Sequence, residues 1–282
     1  MKYWRGYLVA AILAAITWAL TELAKRFTTL VDMVYPYLSR TVLTILSDWT
    51  GTVGFTVWQV GVVLLLVGLL ATVVLMIVLR WNFVQWLGWV LSGAVLIACL
   101  HTGVYGLNFY AGPLADDVRL EVREYTQEEL EDAVTYYRDK ANNLANMLPR
   151  DHLGNLAYSS FTELAEQAGE GFDVLTYENL YPVFAGSTAP VKELEWADMF
   201  TSMGITGVTM PITGEAAVNP QIPAVGLPFT MCHEMAHRMS IAVERDANFA
   251  AFLACRANSN PEFQYSAYFM AYLHSYNTLA SI

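Results

Sequence analysis

Cysteine is scarce: the 282 residues contain three, and no CxxC pair that would form a thiolate zinc site. Basic residues are also few, with 15 Lys and Arg against 26 Asp and Glu, a formal net charge of -11, and no cluster of cations. A nucleic-acid partner is therefore not expected, because phosphate binding displaces counterions with grouped Lys and Arg. Charge of either sign is missing from long stretches before Asn108, whereas nearly all the acidic residues follow it. No internal repeat or low-complexity tract is present. Residues 1–108 read as a membrane region and 109–282 as a water-soluble domain.

Three apolar stretches, about 4–23, 55–79 and 83–107, approach the roughly 20 residues that cross a hydrocarbon core. The second, VGVVLLLVGLLATVVLMIVL, is uncharged, and Trp58 and Trp81 stand near its ends as interfacial aromatics do. The first follows Lys2 and Arg5 but has Glu22 where a signal peptidase needs a small residue, so it reads as a retained anchor. Between the first two lies VYPYLSRTVLTILSDW, which is amphipathic and expected on the membrane surface or against the spans. Three crossings put the amino terminus and the large domain on opposite faces. Positive charge does not fix the orientation: Lys2, Arg5 and Arg80 share one side, Lys25, Arg26 and Arg40 the other, and Arg119 and Arg123 soon follow the third span. The expectation adopted is a multi-pass protein of the cell membrane, in contact with the lipid bilayer, with an extracytoplasmic domain.

In the second half, Thr126 opens a helical pattern with apolar residues at Leu130, Val134, Tyr137, Leu144 and Leu148, ended by Pro149. A second helix is expected over 159–168, closed by Gly169 and Gly171, and GITGVTMPIT reads as a strand or hairpin. The fold class is thus a three-helix membrane anchor carrying a mainly helical α+β domain.

The chemistry lies in PFTMCHEMAHRMSIAVERDANFAAFLAC, where His233, Glu234 and His237 form HExxH. On a helix, residues four apart share a face, so both imidazoles can hold one zinc ion while Glu234 acts as general base on its bound water. A catalytic zinc needs a third protein ligand and an open position, and Glu244 is the best candidate. On an unbroken helix Glu244 would lie about 10 Å beyond His237 at 1.5 Å per residue. The chain must therefore turn back between Ser240 and Val243. After the turn, Ala247, Ala250, Ala251 and Ala254 suit a second helix packed closely on the first. Asn248, one turn after Glu244, suits a hydrogen bond to a ligand, and Asp246 is either a rival ligand or a partner of Arg238 or Arg245. An oxyanion donor is expected among Tyr265, Tyr268, Tyr272 and His274 of the last helix. Cys232 and Cys255 are either buried thiols or a disulfide joining the site helices.

HEMAH followed by Glu244, Ala247 and Asn248 resembles the gluzincin arrangement, in which HExxH precedes a glutamate ligand. ITGEAAVNP, PFTMCHEMAH and ERDANFAAFLAC, after three spans, resemble an uncharacterised family of bacterial membrane proteins with zincin-like domains (domain of unknown function 3810). Ser240 stands where zincins often use glycine. The resemblance implies a membrane-anchored zinc metallopeptidase that hydrolyses peptide bonds, with GVTMP offering an edge to an extended substrate. The alternative is a non-catalytic zincin-like binding or signalling module, against which an intact Glu234 argues. A motif buried within a span is excluded, because Glu244, Arg245 and Asp246 interrupt any apolar run of about 18 residues.

Overall fold

An uncharged apolar run can satisfy its backbone only internally when it is removed from water, and each such run here forms a helix. The computed structural model describes residues 2–178 and 180–282. It begins with α1 (Arg5–Arg26), α2 (Thr28–Thr50), α3 (Val57–Val78) and α4 (Phe83–Val104), of which α1, α3 and α4 are long and apolar enough to cross a membrane. α1 and α4 touch through glycine: a methyl group on Gly6 would lie 2.4 Å from the Gly88 carbonyl carbon, and Ser92 donates to the Gly6 carbonyl at 2.6 Å. α3 is held instead at its start. The Glu215 carboxylate accepts the free amides of Val57 and Trp58 at 2.7 and 2.9 Å, and Lys192 neutralises it at 2.7 Å.

The amphipathic segment between the spans becomes α2. One face buries Ser39, Arg40, Leu43, Ser47 and Thr50 against the rest of the chain, and the other exposes Leu30, Met33, Tyr37, Ile45 and Trp49. Ser39 donates to the Val104 carbonyl at 2.6 Å and Thr50 to that of Thr213 at 3.1 Å, so α2 joins the end of α4 to the domain.

A 3-10 turn, Gly106–Tyr110, leads into α5 (Leu114–Asp117) and α6 (Gln127–Ala145). Thr126 and Glu129 cap α6 reciprocally, the start expected from the sequence. Ser160 and Glu163 do the same for α7 (Phe161–Gln167), which is followed by α8 (Glu170–Tyr177). α7 ends at Gln167 and Gly169 lies in the turn that follows, as expected, whereas Gly171 lies within α8. A methyl group on Gly171 would sit 1.9 Å from the Ala254 carbonyl oxygen, so this glycine serves close packing. Next come β1 (Lys192–Glu193), α9 (Ala197–Ser202), β2 (Gly207–Met210) and β3 (Glu215–Val218). β3 is central, parallel to β1 and antiparallel to β2, which makes β2 an edge of the sheet. The chain ends with α10 (Leu227–Arg238), α11 (Glu244–Ala257) and α12 (Pro261–Ala280). The core gathers Met231, Met235 and Ala236 of α10, Ala247, Ala250 and Ala251 of α11, Phe172 and Phe263.

Candidate metal centre

α10 carries both histidines on one face, with their Nε2 atoms 3.1 Å apart. The helix stops at Arg238, and Ser240 adopts a left-handed φ of 72° that reverses the chain within the interval required by Glu244. Ser240 donates to Ser39 of α2 at 3.0 Å, which fastens the turn. The Ile241 carbonyl lies 2.8 Å from His237 Nδ1. A carbonyl can only accept, so this nitrogen carries the proton and Nε2 keeps a free lone pair. Glu244, the first residue of α11, brings one carboxylate oxygen to 3.3 Å from His233 Nε2 and the other to 3.4 Å from His237 Nε2.

Three donors each 2.0–2.1 Å from a tetrahedral zinc lie about 3.3 Å from one another. The separations of 3.1, 3.3 and 3.4 Å fit that triangle. Burial, reinforced by His237, pushes the His233 imidazole down to about 4, so its ring is neutral and able to ligate at neutral pH. The Glu244 side chain is 76% exposed and leaves the centre open on one side. The donor set therefore suits a divalent cation.

Glu234 is buried beside the edge strand, and burial raises its carboxyl to about 8. The Thr209 hydroxyl lies 2.7 Å from its Oε2 and 2.8 Å from its backbone carbonyl. Gly207 makes room for it, since a methyl group there would lie 2.4 Å from Glu234 Oε1. These groups border a cleft of about 510 Å³, lined by His233, Glu234, His237 and Glu244 on one side and by Tyr105, Phe109 and residues 204–209 on the others.

The other expected site residues fall outside this constellation or behind it. Asp246 is not brought to the donor triangle: it accepts from the Leu114 amide at 3.1 Å and from Arg245 at 3.0 Å. Asn248 lies beside His233 and favours its charged form, without a well-aligned hydrogen bond to the buried and unpartnered Nδ1. Tyr265, Tyr268, Tyr272 and His274 do not line the cleft. Tyr268 packs against Tyr136, Tyr137 and Phe252, Tyr265 against Phe269, Tyr272 against Tyr276, and His274 against Phe229. These side chains are not brought to the donor triangle. Cys232 and Cys255 are buried free thiols.

The residue missed in the sequence is Tyr105, whose hydroxyl lies 3.2 Å from His237 Nδ1. No sign of this role was legible in the sequence, because Tyr105 lies within the expected third span, 83–107, whereas α4 ends at Val104 and leaves it at the helix end. The chain matches, over residues 31–282, the family described as Protein of unknown function (DUF3810). No curated protein and no solved structure matches it.

Proposed function

The chain belongs to the DUF3810 family of proteins of unknown function, and we propose that it is a membrane-anchored zinc metallopeptidase with a zincin-like, gluzincin-type domain. The observation that carries this reading is the triangle of His233, His237 and Glu244 donors with a buried carboxyl, Glu234, on the same helix as the two histidines. His233, His237 and Glu244 would hold the ion. When bound, it supplies Lewis acidity, which polarises the scissile carbonyl and acidifies water. Glu234 takes a proton from the attacking water and returns it to the leaving amine, and a carboxyl pushed up to about 8 by burial is suited to retaining that proton between the two transfers. The free edge of β2 pairs with an extended peptide, and Gly207 leaves room for the Glu234 side chain against that strand. Tyr105 and the Ile241 carbonyl hold the His237 ring in its ligating orientation.

Metal analysis of the purified full chain, alongside a peptide-cleavage assay of the Glu234→Gln variant, tests this reading. One zinc per chain is expected in both forms, with cleavage by the variant lowered about 10²–10⁴-fold. Zinc bound with no cleavage by either form would instead favour the non-catalytic binding module. We place the domain outside the cytoplasm. A Leu153→Cys variant should then react with an impermeant maleimide on intact cells, and reaction only after lysis would reverse the orientation.

A further inference from the structure

α2 packs through its buried face on the turn of the candidate metal centre. It starts after a single residue, Phe27, beyond α1 and ends shortly before α3, so both of its ends are tied to spans on one membrane face. Its buried face meets the domain through Ser39, which holds Ser240 in the turn between His237 and Glu244. Its opposite face presents Leu30, Met33, Tyr37, Ile45 and Trp49 at helical spacing, each more than 60% exposed. Continuity with the spans at both ends assigns this stripe to the lipid surface. The turn that delivers Glu244 is thus about one helix diameter, roughly 10 Å, from lipid.

The cleft also bridges the domain-side ends of two spans. Tyr105 and Phe109 follow α4 directly, while Ile205 and Val208 across the cleft share an apolar cluster with Trp58 in the first turn of α3. Deeper in the membrane region, α3 and α4 diverge around an apolar opening of about 1020 Å³, lined by residues including Leu65, Leu69, Trp86, Val90 and Gly93. Trp86 donates to Thr72 at 3.2 Å across it, next to the loop that joins the two helices.

We propose that the substrate is a membrane-anchored polypeptide, cut about three to six extended residues from the bilayer surface, with its own span lodged between α3 and α4. This inference rests on the peptidase reading and goes beyond it by naming a substrate class. A bond close to its anchor meets the cleft at high effective concentration, whereas the same bond on a long tether is diluted.

The test uses the full chain in phosphatidylcholine vesicles containing some phosphatidylglycerol. One cleavable sequence is presented in three forms: free in solution, about five residues from a synthetic transmembrane helix, and about thirty residues from it on a flexible spacer. The near-anchored form should be cut about tenfold faster than the distant one. Gly93→Trp, which narrows the opening away from the metal centre, should abolish that preference and leave cleavage of the free peptide unchanged. Equal rates for the two anchored forms, with the free peptide still cut, would overturn the substrate class and leave the peptidase reading standing. A preference that survives Gly93→Trp would overturn the lodging of the substrate's span between α3 and α4. Failure to cut any form would remove the peptidase reading and this inference together. Gly93→Cys chains that cross-link to each other without substrate would assign the opening to a second copy and overturn the inference.

Discussion

α3 and α10 are both largely apolar helices, but they have different neighbours. In α3, Gln59 is the buried residue, and the run of Leu, Val and Ile that follows it is open to its surroundings. In α10, nearly every residue is enclosed by protein, and one of the two that emerge slightly, His233, faces the cleft. Apolar character in α3 therefore matches a solvent, the hydrocarbon of a bilayer, and tolerates any substitution that keeps it apolar. In α10 it matches particular neighbours, so volume and shape matter as well. A metal centre needs the second kind of helix, because two imidazoles and a carboxylate must be held within tenths of an ångström.

The largest expected effect lies at the junction of the two regions. Lys192 and Glu215 form an ion pair whose side chains are 9% and 1% exposed, and Glu215 also caps the start of α3. Lys192→Met leaves that carboxylate uncompensated and should cost about 3–5 kcal/mol, read as a fall in Tm in detergent. The double variant Lys192→Met with Glu215→Gln should regain most of the loss, because it removes the buried charge. A single variant as stable as the parent would mean that the junction is wet.

One substitution made in both regions sharpens the contrast. Gly171→Ala pushes a methyl group against the backbone of α11 and should cost about 3 kcal/mol, the upper end of overpacking. Gly68→Ala in α3 meets nothing within 4 Å and should be neutral or stabilising by up to about 1 kcal/mol. Equal losses from the two would show that α3 is packed against protein after all.

The same contrast explains what was legible in the sequence. The spans followed from solvent matching alone, and their helices differ from the expected stretches by a few residues at the ends. The turn at Ser240 was legible because Glu244 cannot reach the histidines along a straight helix. Partners distant in the chain were not legible: Tyr105 meets His237 across 132 positions, and the cap on α3 comes from Glu215. The role of the α12 tyrosines was not legible, because a packing stripe and a row of donors have the same spacing. Gly171 read as part of the stop that Gly169 provides, for want of any sign that Ala254 would press against it.

A smaller effect concerns pH. The Glu234 carboxyl titrates near 8 in the fold against an ordinary 4.5, because burial disfavours its charge. Below pH 4.5 it is protonated in both the folded and unfolded chain. Between 4.5 and 8 the folded state keeps a proton that the unfolded state releases, so stability from this group falls as pH rises through that window. Under a chelator, Glu234→Gln should melt above the parent by a margin that grows between pH 5 and pH 8, on the order of 2 kcal/mol. A margin independent of pH would mean that water reaches this carboxyl.

The smallest effect is expected at Ser240, where two terms oppose each other. A left-handed φ of 72° costs a residue with a side chain about 1 kcal/mol, which glycine avoids. Glycine also loses the hydroxyl that bonds Ser39, worth about 1 kcal/mol, and frees the unfolded chain by a further fraction of that. Ser240→Gly should therefore change stability by less than about 1 kcal/mol, whereas Ser240→Ala keeps the backbone strain, loses the bond and should cost about 1 kcal/mol. Zinc affinity separates the two roles further. If the bond to α2 aims Glu244, both variants should bind zinc more weakly even where Tm is unchanged, because a looser turn presents its carboxylate in more orientations. Unchanged affinity in Ser240→Gly would mean that the backbone reversal alone aims Glu244, and that α2 serves the membrane and not the metal.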